Sequence, residues 1–295
     1  MTFLRDIGDI STCKIGFVGA GRIGKALAWS LEAHGCNVHA AASRTPDSVA
    51  GLTQGTRACL ALSAQDVANA CDLIFVTTPD ALIQPTVEAI RWRAGSGVVH
   101  CSGATEVSSL AKAAGDGALI GGFHPMQTFG DPQAAVHSLP GCVITIEADE
   151  DLHTLLVGLA DRLGCQVNQL PPGARARYHA AAGYASQYIN VLLSEAVRIW
   201  LSWGASESAA LKALLPVVRG TVSSIESAGV AKGMPGPVSR GDAGTVAKQL
   251  RSLMALDDAT ASLYRELCRR SVPLAEQAGG LDPATAREIR MLLDS

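Results

Sequence analysis

Gly19-Ala20-Gly21-Arg22-Ile23-Gly24 constrains this chain more than any other segment. The apolar run at residues 14–18 precedes it, and a helical pattern over residues 23–34 follows, with Leu27 and Leu31 four apart on one face. Glycines at this spacing, between a buried strand and a helix, make the phosphate-binding turn of a dinucleotide fold. Gly19 makes the tight turn, Gly21 lets backbone approach a pyrophosphate, and Gly24 lets helix and strand pack closely. N–H groups at the helix start, with the helix dipole, then hold the phosphate.

Strand-like and helix-like segments alternate beyond this loop. Short apolar runs stand at residues 37–42, 72–79, 97–101, 118–123, 143–147 and 166–170, with helical patterns between them such as residues 80–92. Continuous apolar strands separated by helices imply a mostly parallel sheet covered on both faces. The character changes at Pro171-Pro172-Gly173, which suits an interdomain joint. Beyond it strand signals nearly vanish. Helices fit residues 175–203 as one long element, residues 206–228, two more within 245–279, and 283–293. The pattern predicts an α/β chain, with a Rossmann-type, mostly parallel sheet over residues 1–172 and an all-α helical domain over residues 173–295.

Composition excludes several other classes. Of 295 residues, 48% are hydrophobic and 17% charged, which argues against global disorder, and the net charge of -3 with no basic stripe argues against nucleic acid as a partner. Arg5, Asp6 and Asp9 make residues 1–12 too polar for a signal peptide's apolar core, and no apolar run is long enough to span a bilayer. The eight cysteines show no C-x-x-C pair, so no metal site is expected. Together these features predict a cytoplasmic protein in a reduced compartment.

The second strand points to the form of the dinucleotide. An acidic residue at its end would bond a ribose 2′-hydroxyl and favour NAD. Ser43-Arg44-Thr45 stands there instead, and a guanidinium between two hydroxyls suits the 2′-phosphate of NADP. Thr77, Thr78 and Pro79 end the next strand at the ligand-binding edge, either touching the cofactor or stopping the strand. Ser102 and Gly103 end another, either admitting the nicotinamide ring or forming a tight turn.

Taken in order, several segments resemble a known group. They are the glycine loop, Val-Thr-Thr-Pro-Asp at 76–80, His-Cys-Ser-Gly at 100–103, Phe-His-Pro-Met-Gln-Thr-Phe at 123–129, Tyr-His-Ala-Ala-Ala from 178, and Gly-Pro-Val-Ser-Arg-Gly-Asp at 236–242. The chain resembles predicted NADP-dependent oxidoreductases that join a Rossmann-like domain to a C-terminal domain of unknown function, number 2520. More distantly it is similar to pyrroline-5-carboxylate reductases, ketopantoate reductases and β-hydroxyacid dehydrogenases. The resemblance implies a helical second domain, a homodimer formed through it, and a substrate cleft between domains. One departure stands out. The latter two relatives carry a lysine, then an asparagine one turn later, on the first helix of the second domain. Here His179 and Gly183 occupy that region, and no lysine occurs between Lys112 and Lys212.

Reduction of a carbonyl or imine needs a proton donor and a group that holds the substrate. His179 is one candidate donor, with Ser186, Gln187 and Asn190 further along the predicted helix near the same face; packing in the core is its alternative. His124 is the other, placed at the sheet's carboxyl edge by the strand before it and by Pro125, or else serving only to hold the loop. Gln127 and Thr128 either bond substrate or close the loop. Arg240 precedes a predicted helix start, where it would draw a carboxylate, and Asp242 either caps that helix or joins it in binding substrate. The resulting expectation is a reductase moving hydride between NADPH and a small acidic keto or imine substrate bound between the domains. A non-catalytic NADP(H)-binding sensor or scaffold is the competing class. A deazaflavin-using reductase shares the first domain but gains no separate support.

Overall fold

The computed structural model describes residues 10–171 and 173–294. Most of the polar N-terminal stretch and Pro172 of the predicted joint lie outside the described residues. Two compact units divide at Ser186/Gln187, beyond that joint.

The first unit alternates strands and helices. In order they are β1 (Lys14–Val18), α1 (Arg22–Ala33), β2 (Asn37–Ala42), α2 (Pro46–Thr53), β3 (Leu60–Ala61), α3 (Ala64–Ala70), β4 (Leu73–Val76), α4 (Asp80–Glu88) and β5 (Gly97–His100). They continue with α5 (Ala111–Gly115), β6 (Leu119–Pro125), α6 (Pro132–Ser138), β7 (Val143–Ala148), α7 (Glu150–Arg162), β8 (Gln166–Asn168) and α8 (Arg175–Ala185). The strand order is β3-β2-β1-β4-β5-β6-β7-β8. Every described pairing is parallel except β6 with β7. This is the Rossmann-type sheet that the sequence predicts, and its order reverses direction between β1 and β4, where such sheets bind ligands.

Burial explains the near-continuous apolar strands. All of β4 and β5, and β1 after Lys14, are buried. One core on one face joins Phe17 and Phe75 to Leu27 and Leu31 of α1 and Leu156 of α7. A second core on the other joins Ile74 to Val67 of α3 and to Ile83 and Val87 of α4. Phe17 and Phe75 stack with ring centroids 5.3 Å apart.

Several details differ from the sequence expectation. β6 runs on through His124 to Pro125. Its parallel pairing with β5 stops at Gly122, while antiparallel β7 continues to pair residues 121–125. Proline is tolerated there because one side of the strand has become an edge. β3 has no counterpart in the sequence reading, since two residues carry no periodicity.

The predicted long helix over residues 175–203 is two helices, α8 and α9 (Gln187–Leu201). Ser186 breaks it, with φ -132° and ψ -76°. Its hydroxyl donates to the Ala182 carbonyl at 2.6 Å, and its N–H turns to Gly183 instead. The regular i→i-4 bond is thereby lost.

The second unit is helical, as predicted. After α9 come α10 (Glu207–Lys232), α11 (Ala243–Met254), α12 (Asp258–Gln277) and α13 (Pro283–Asp294). α10 outruns the predicted residues 206–228 and is interrupted at Gly229, where φ is +79°. Val246, Val272, Ala286 and Ile289 build a core shared by α11, α12 and α13. No described helix is long and apolar enough to cross a membrane.

Candidate active site

The glycine loop leaves β1 and turns into α1. Its shape is enforced by neighbouring strands: Gly19 N–H donates to the Ala42 carbonyl at 2.8 Å, and the Thr77 hydroxyl donates to the Gly19 carbonyl at 2.6 Å. Gly19 takes φ +113°, and a Cβ there would lie 2.6 Å from Thr77 backbone. A Cβ on Gly24 would lie 2.5 Å from the Gly19 carbonyl oxygen. Packing therefore explains both. It does not explain Gly21, whose Cβ would meet no protein atom nearer than 4.0 Å. Gly21 borders open groove, as a backbone approached by pyrophosphate requires.

That groove, about 700 Å³, runs across the carboxyl ends of β1, β2 and β4. Gly19, Ala20, Gly21, Ser43, Arg44, Thr45, Thr77, Thr78 and Pro79 all line it. Arg44 is exposed immediately before α2, whose first residue is Pro46. A helix start and a guanidinium together suit an anion. Leu62, Leu82, Pro85 and Ala89 line an apolar part fit for a flat heterocycle. The Thr78 hydroxyl has no protein partner among the described residues. The residues present thus fit a dinucleotide.

An adjoining recess of about 630 Å³ continues along the same edge. Gly21, Arg22 and Ile23 border it, with Thr77, Thr78 and Pro79, then Ser102, Gly103, His124, Thr128, Phe129 and His179. The two predicted histidines therefore meet in one place. Their rings lie 6.1 Å apart in an edge-to-face arrangement. A Cβ on Gly103 would fall 2.5 Å from His179 Nδ1 and 2.7 Å from His124 Nε2. Only glycine leaves room for both rings.

The two differ in setting. Burial, with His179 and Arg175 nearby, lowers the His124 pKa from 6.5 to about 4, so its ring is neutral at neutral pH. His124 Nδ1 is 2.7 Å from the Tyr178 hydroxyl. His179 is exposed on α8.

Sequence reasoning missed the supports of this site. Arg175, 2% exposed, opens α8 and pairs with Glu147 of β7, with Glu106 at 3.8 Å. It also donates to the Ser102 carbonyl at 2.8 Å. One guanidinium so ties α8, β7 and the Ser102-Gly103 turn together. An arginine in a helical pattern reads as solvated, so nothing in the sequence marks its burial. Tyr178 could have been suspected only from its place beside His179.

Other predicted residues prove to be spent on structure. Ser102 Oγ accepts the N–H groups of Ala104 and Thr105, closing the turn. Gln127 donates to the Ser138 carbonyl at 2.9 Å and accepts the Thr128 N–H at 2.7 Å, so it holds the loop. Ser186 does not line the recess, because its hydroxyl is turned back on α8. Asp242 caps α11, accepting the Thr245 N–H at 2.9 Å. Arg240 is exposed in a 3-10 turn of the second unit, and Gln187 and Asn190 stand on α9, also in that unit.

Residues 14–103 match the family described as NADP oxidoreductase, coenzyme F420-dependent. Residues 142–271 match the domain of unknown function DUF2520. His124 lies between the two matches, while Tyr178 and His179 lie in the second. A 106-residue stretch is 35% identical to 2-(hydroxymethyl)glutarate dehydrogenase of Eubacterium barkeri, covering 34% of this chain and 35% of that protein. The chain thus spans about a third of that curated relative.

Among solved structures, a candidate NADP oxidoreductase of Bacteroides fragilis is 25% identical with a TM-score of 0.72, covering 90% of this chain and 100% of that one. Pyrroline carboxylate reductase of Plasmodium falciparum, solved with NADP bound, shares the fold at 13% identity and TM-score 0.60, covering 90% and 100%. With a dinucleotide groove and a Rossmann-type sheet, the chain is similar to NAD(P)-dependent oxidoreductases, its residues 14–103 matching the NADP oxidoreductase family and its residues 142–271 the DUF2520 domain.

Proposed function

We propose that this oxidoreductase uses NADPH to reduce a small acidic keto or imine substrate, with His124 and His179 as its acid-base pair. The observation that carries the reading is their convergence on Gly103, in a recess continuous with the glycine loop. Gly19–Gly24 backbone holds the pyrophosphate, and Ser43, Arg44 and Thr45 hold the 2′-phosphate. When bound, the reduced nicotinamide supplies hydride to the substrate's electrophilic carbon.

The protein's own residues complete the reaction. His124, neutral and half-buried, suits an N–H donor that polarises the substrate oxygen or nitrogen; a neutral imidazole can act as such an electrophile. His179, exposed, can deliver a proton to that atom and regain one from water. This division needs no lysine on the helix. The acidic group is proposed from Arg240, an exposed guanidinium that can bond a carboxylate. A homodimer is proposed from α9 and α10, which leave Val191, Val217 and Val230 48%, 62% and 60% exposed.

Steady-state kinetics with NADPH and NADH over a panel of keto acids and cyclic imines tests the reading. Turnover with NADPH, at a Michaelis constant at least about tenfold below that for NADH, is the expected result. Arg44→Ala should erase that preference, and Arg240→Ala should raise the Michaelis constant of the acidic substrate alone. A clear NADH preference contradicts the cofactor assignment, and NADPH binding without turnover on any panel member contradicts the reaction.

A further inference from the structure

We propose that Cys142 and Cys165 are a redox-active thiol pair, which a peroxide converts into a reversible disulfide that braces the edge strand β8 against β7. The proposal is independent of the reductase reading, because Cys142 and Cys165 line neither the dinucleotide groove nor the recess.

The sheet brings the two sulfurs together. Cys142 stands immediately before β7 and Cys165 immediately before β8, and these strands run parallel with Val143 opposite Gln166. Backbone bonds clamp the two segments beside the cysteines. Gln166 N–H donates to the Cys142 carbonyl at 2.9 Å, and Gly141 N–H donates to the Gly164 carbonyl at 2.7 Å. Neighbouring strands lie about 4.8 Å apart, within the roughly 4.4–6.8 Å between Cα atoms that a disulfide spans. The side chains already meet: Cys142 Sγ is 3.6 Å from Cys165 Sγ, and both thiols are free. Bond formation therefore needs side-chain rotation rather than strand movement.

Exposure sets the order of events. Cys142 is partly exposed and Cys165 is buried, so a peroxide reaches Cys142 first. Its sulfur attacks one peroxide oxygen and the O–O bond breaks. Cys142 becomes a sulfenic acid, and the other oxygen leaves as water or an alcohol. Cys165 sulfur then attacks Cys142 sulfur and the S–O bond breaks. The departing hydroxide takes the Cys165 proton and leaves as water. Two thiols lose two electrons in all, and one peroxide is reduced. Elsewhere burial raises the Cys13 and Cys71 pKa values to about 12, which keeps those thiols protonated and inert.

β8 is the strand that the bridge holds. It ends the sheet order, is three residues long, and leaves Gln166 and Val167 exposed. A Cys142–Cys165 bond closes the chain around α7 and ties β8 to β7. By removing freedom from the unfolded chain it should raise stability.

The experiment treats the reduced full-length protein with hydrogen peroxide at neutral pH, beside an untreated sample. Free thiols, counted after denaturation, should fall by two from the chain's eight cysteines, and dithiothreitol should restore them. Trypsin cuts between the pair, after Arg162. Non-reducing mass spectrometry should therefore find residues 113–162 joined to residues 163–175, two hydrogens lighter than the separate thiol peptides. The melting temperature should rise by about 5 °C. In Cys165→Ser, Cys142 should halt at the sulfenic acid and be labelled by dimedone.

A wild type that keeps every thiol, carries its bridge elsewhere, or takes Cys142 on to a sulfinic acid overturns the pair, whatever the variant does. A Cys142–Cys165 bridge with an unchanged melting temperature upholds the pair and overturns the brace.

Discussion

The two units of this chain keep their apolar residues in opposite ways. In the sheet unit β4 and β5 are buried throughout, and separate cores cover both faces. In the helical unit α11, α12 and α13 share a core, yet α9 buries none of its residues and α10 buries only Ala210. Trp203, Val217 and Val230 are each at least 60% exposed. The sheet unit is complete in itself and carries the candidate chemistry. The α9–α10 face leaves apolar residues exposed, and we propose that a second copy of the chain covers it.

The comparison is broken most severely by opening the sheet unit. Arg175→Ala leaves Glu147 without its partner and frees the Ser102 carbonyl. Removing one member of a buried pair costs about 3–5 kcal/mol, so urea unfolding should show a loss of that size. A loss below about 1 kcal/mol would mean that Arg175 does not hold this unit together.

Acid should open the same unit next. Burial, with Arg175 nearby, lowers the His100 pKa from 6.5 to about 4, and His124 is lowered likewise. Between pH 4 and 6.5 the unfolded chain binds more protons at these rings than the folded chain does. Their contribution is therefore full above about pH 6.5 and lost as pH falls toward 4. For His100 it is on the order of 3 kcal/mol. Thermal unfolding from pH 7 to pH 4 should show the decline, and His100→Gln should flatten it. An equal slope in that variant would remove His100 as a cause.

The smallest effect on folding, and the sharpest on the contrast, falls on the helical face. Val217→Glu should turn a dimer into a monomer in sedimentation while changing the stability of either unit by only about 0.5 kcal/mol. A wild type that sediments as a monomer at micromolar concentration contradicts the assigned cover.

What could be read from the sequence follows the same division. Apolar runs such as Leu73–Val76 state their burial directly, and the glycine loop carries its spacing in one short segment. Asp242 was readable as a cap because capping is local. The break at Ser186 was not, since it depends on whether a serine bonds its own helix. Gln127 gave no sign that both ends of its amide were committed. Arg175 and Tyr178 became visible only with the seat of α8, which joins residues more than fifty positions apart. Local order was thus legible, and long-range polar partnership was not.

The account's central claim is that His124 and His179 are the acid-base pair beside a bound dinucleotide. NADPH binding, followed by fluorescence, and turnover should be measured side by side in the wild type and in a His124→Ala, His179→Ala double variant. The account predicts unchanged NADPH affinity and turnover lowered by at least about 100-fold. A folded double variant that retains full turnover would contradict it.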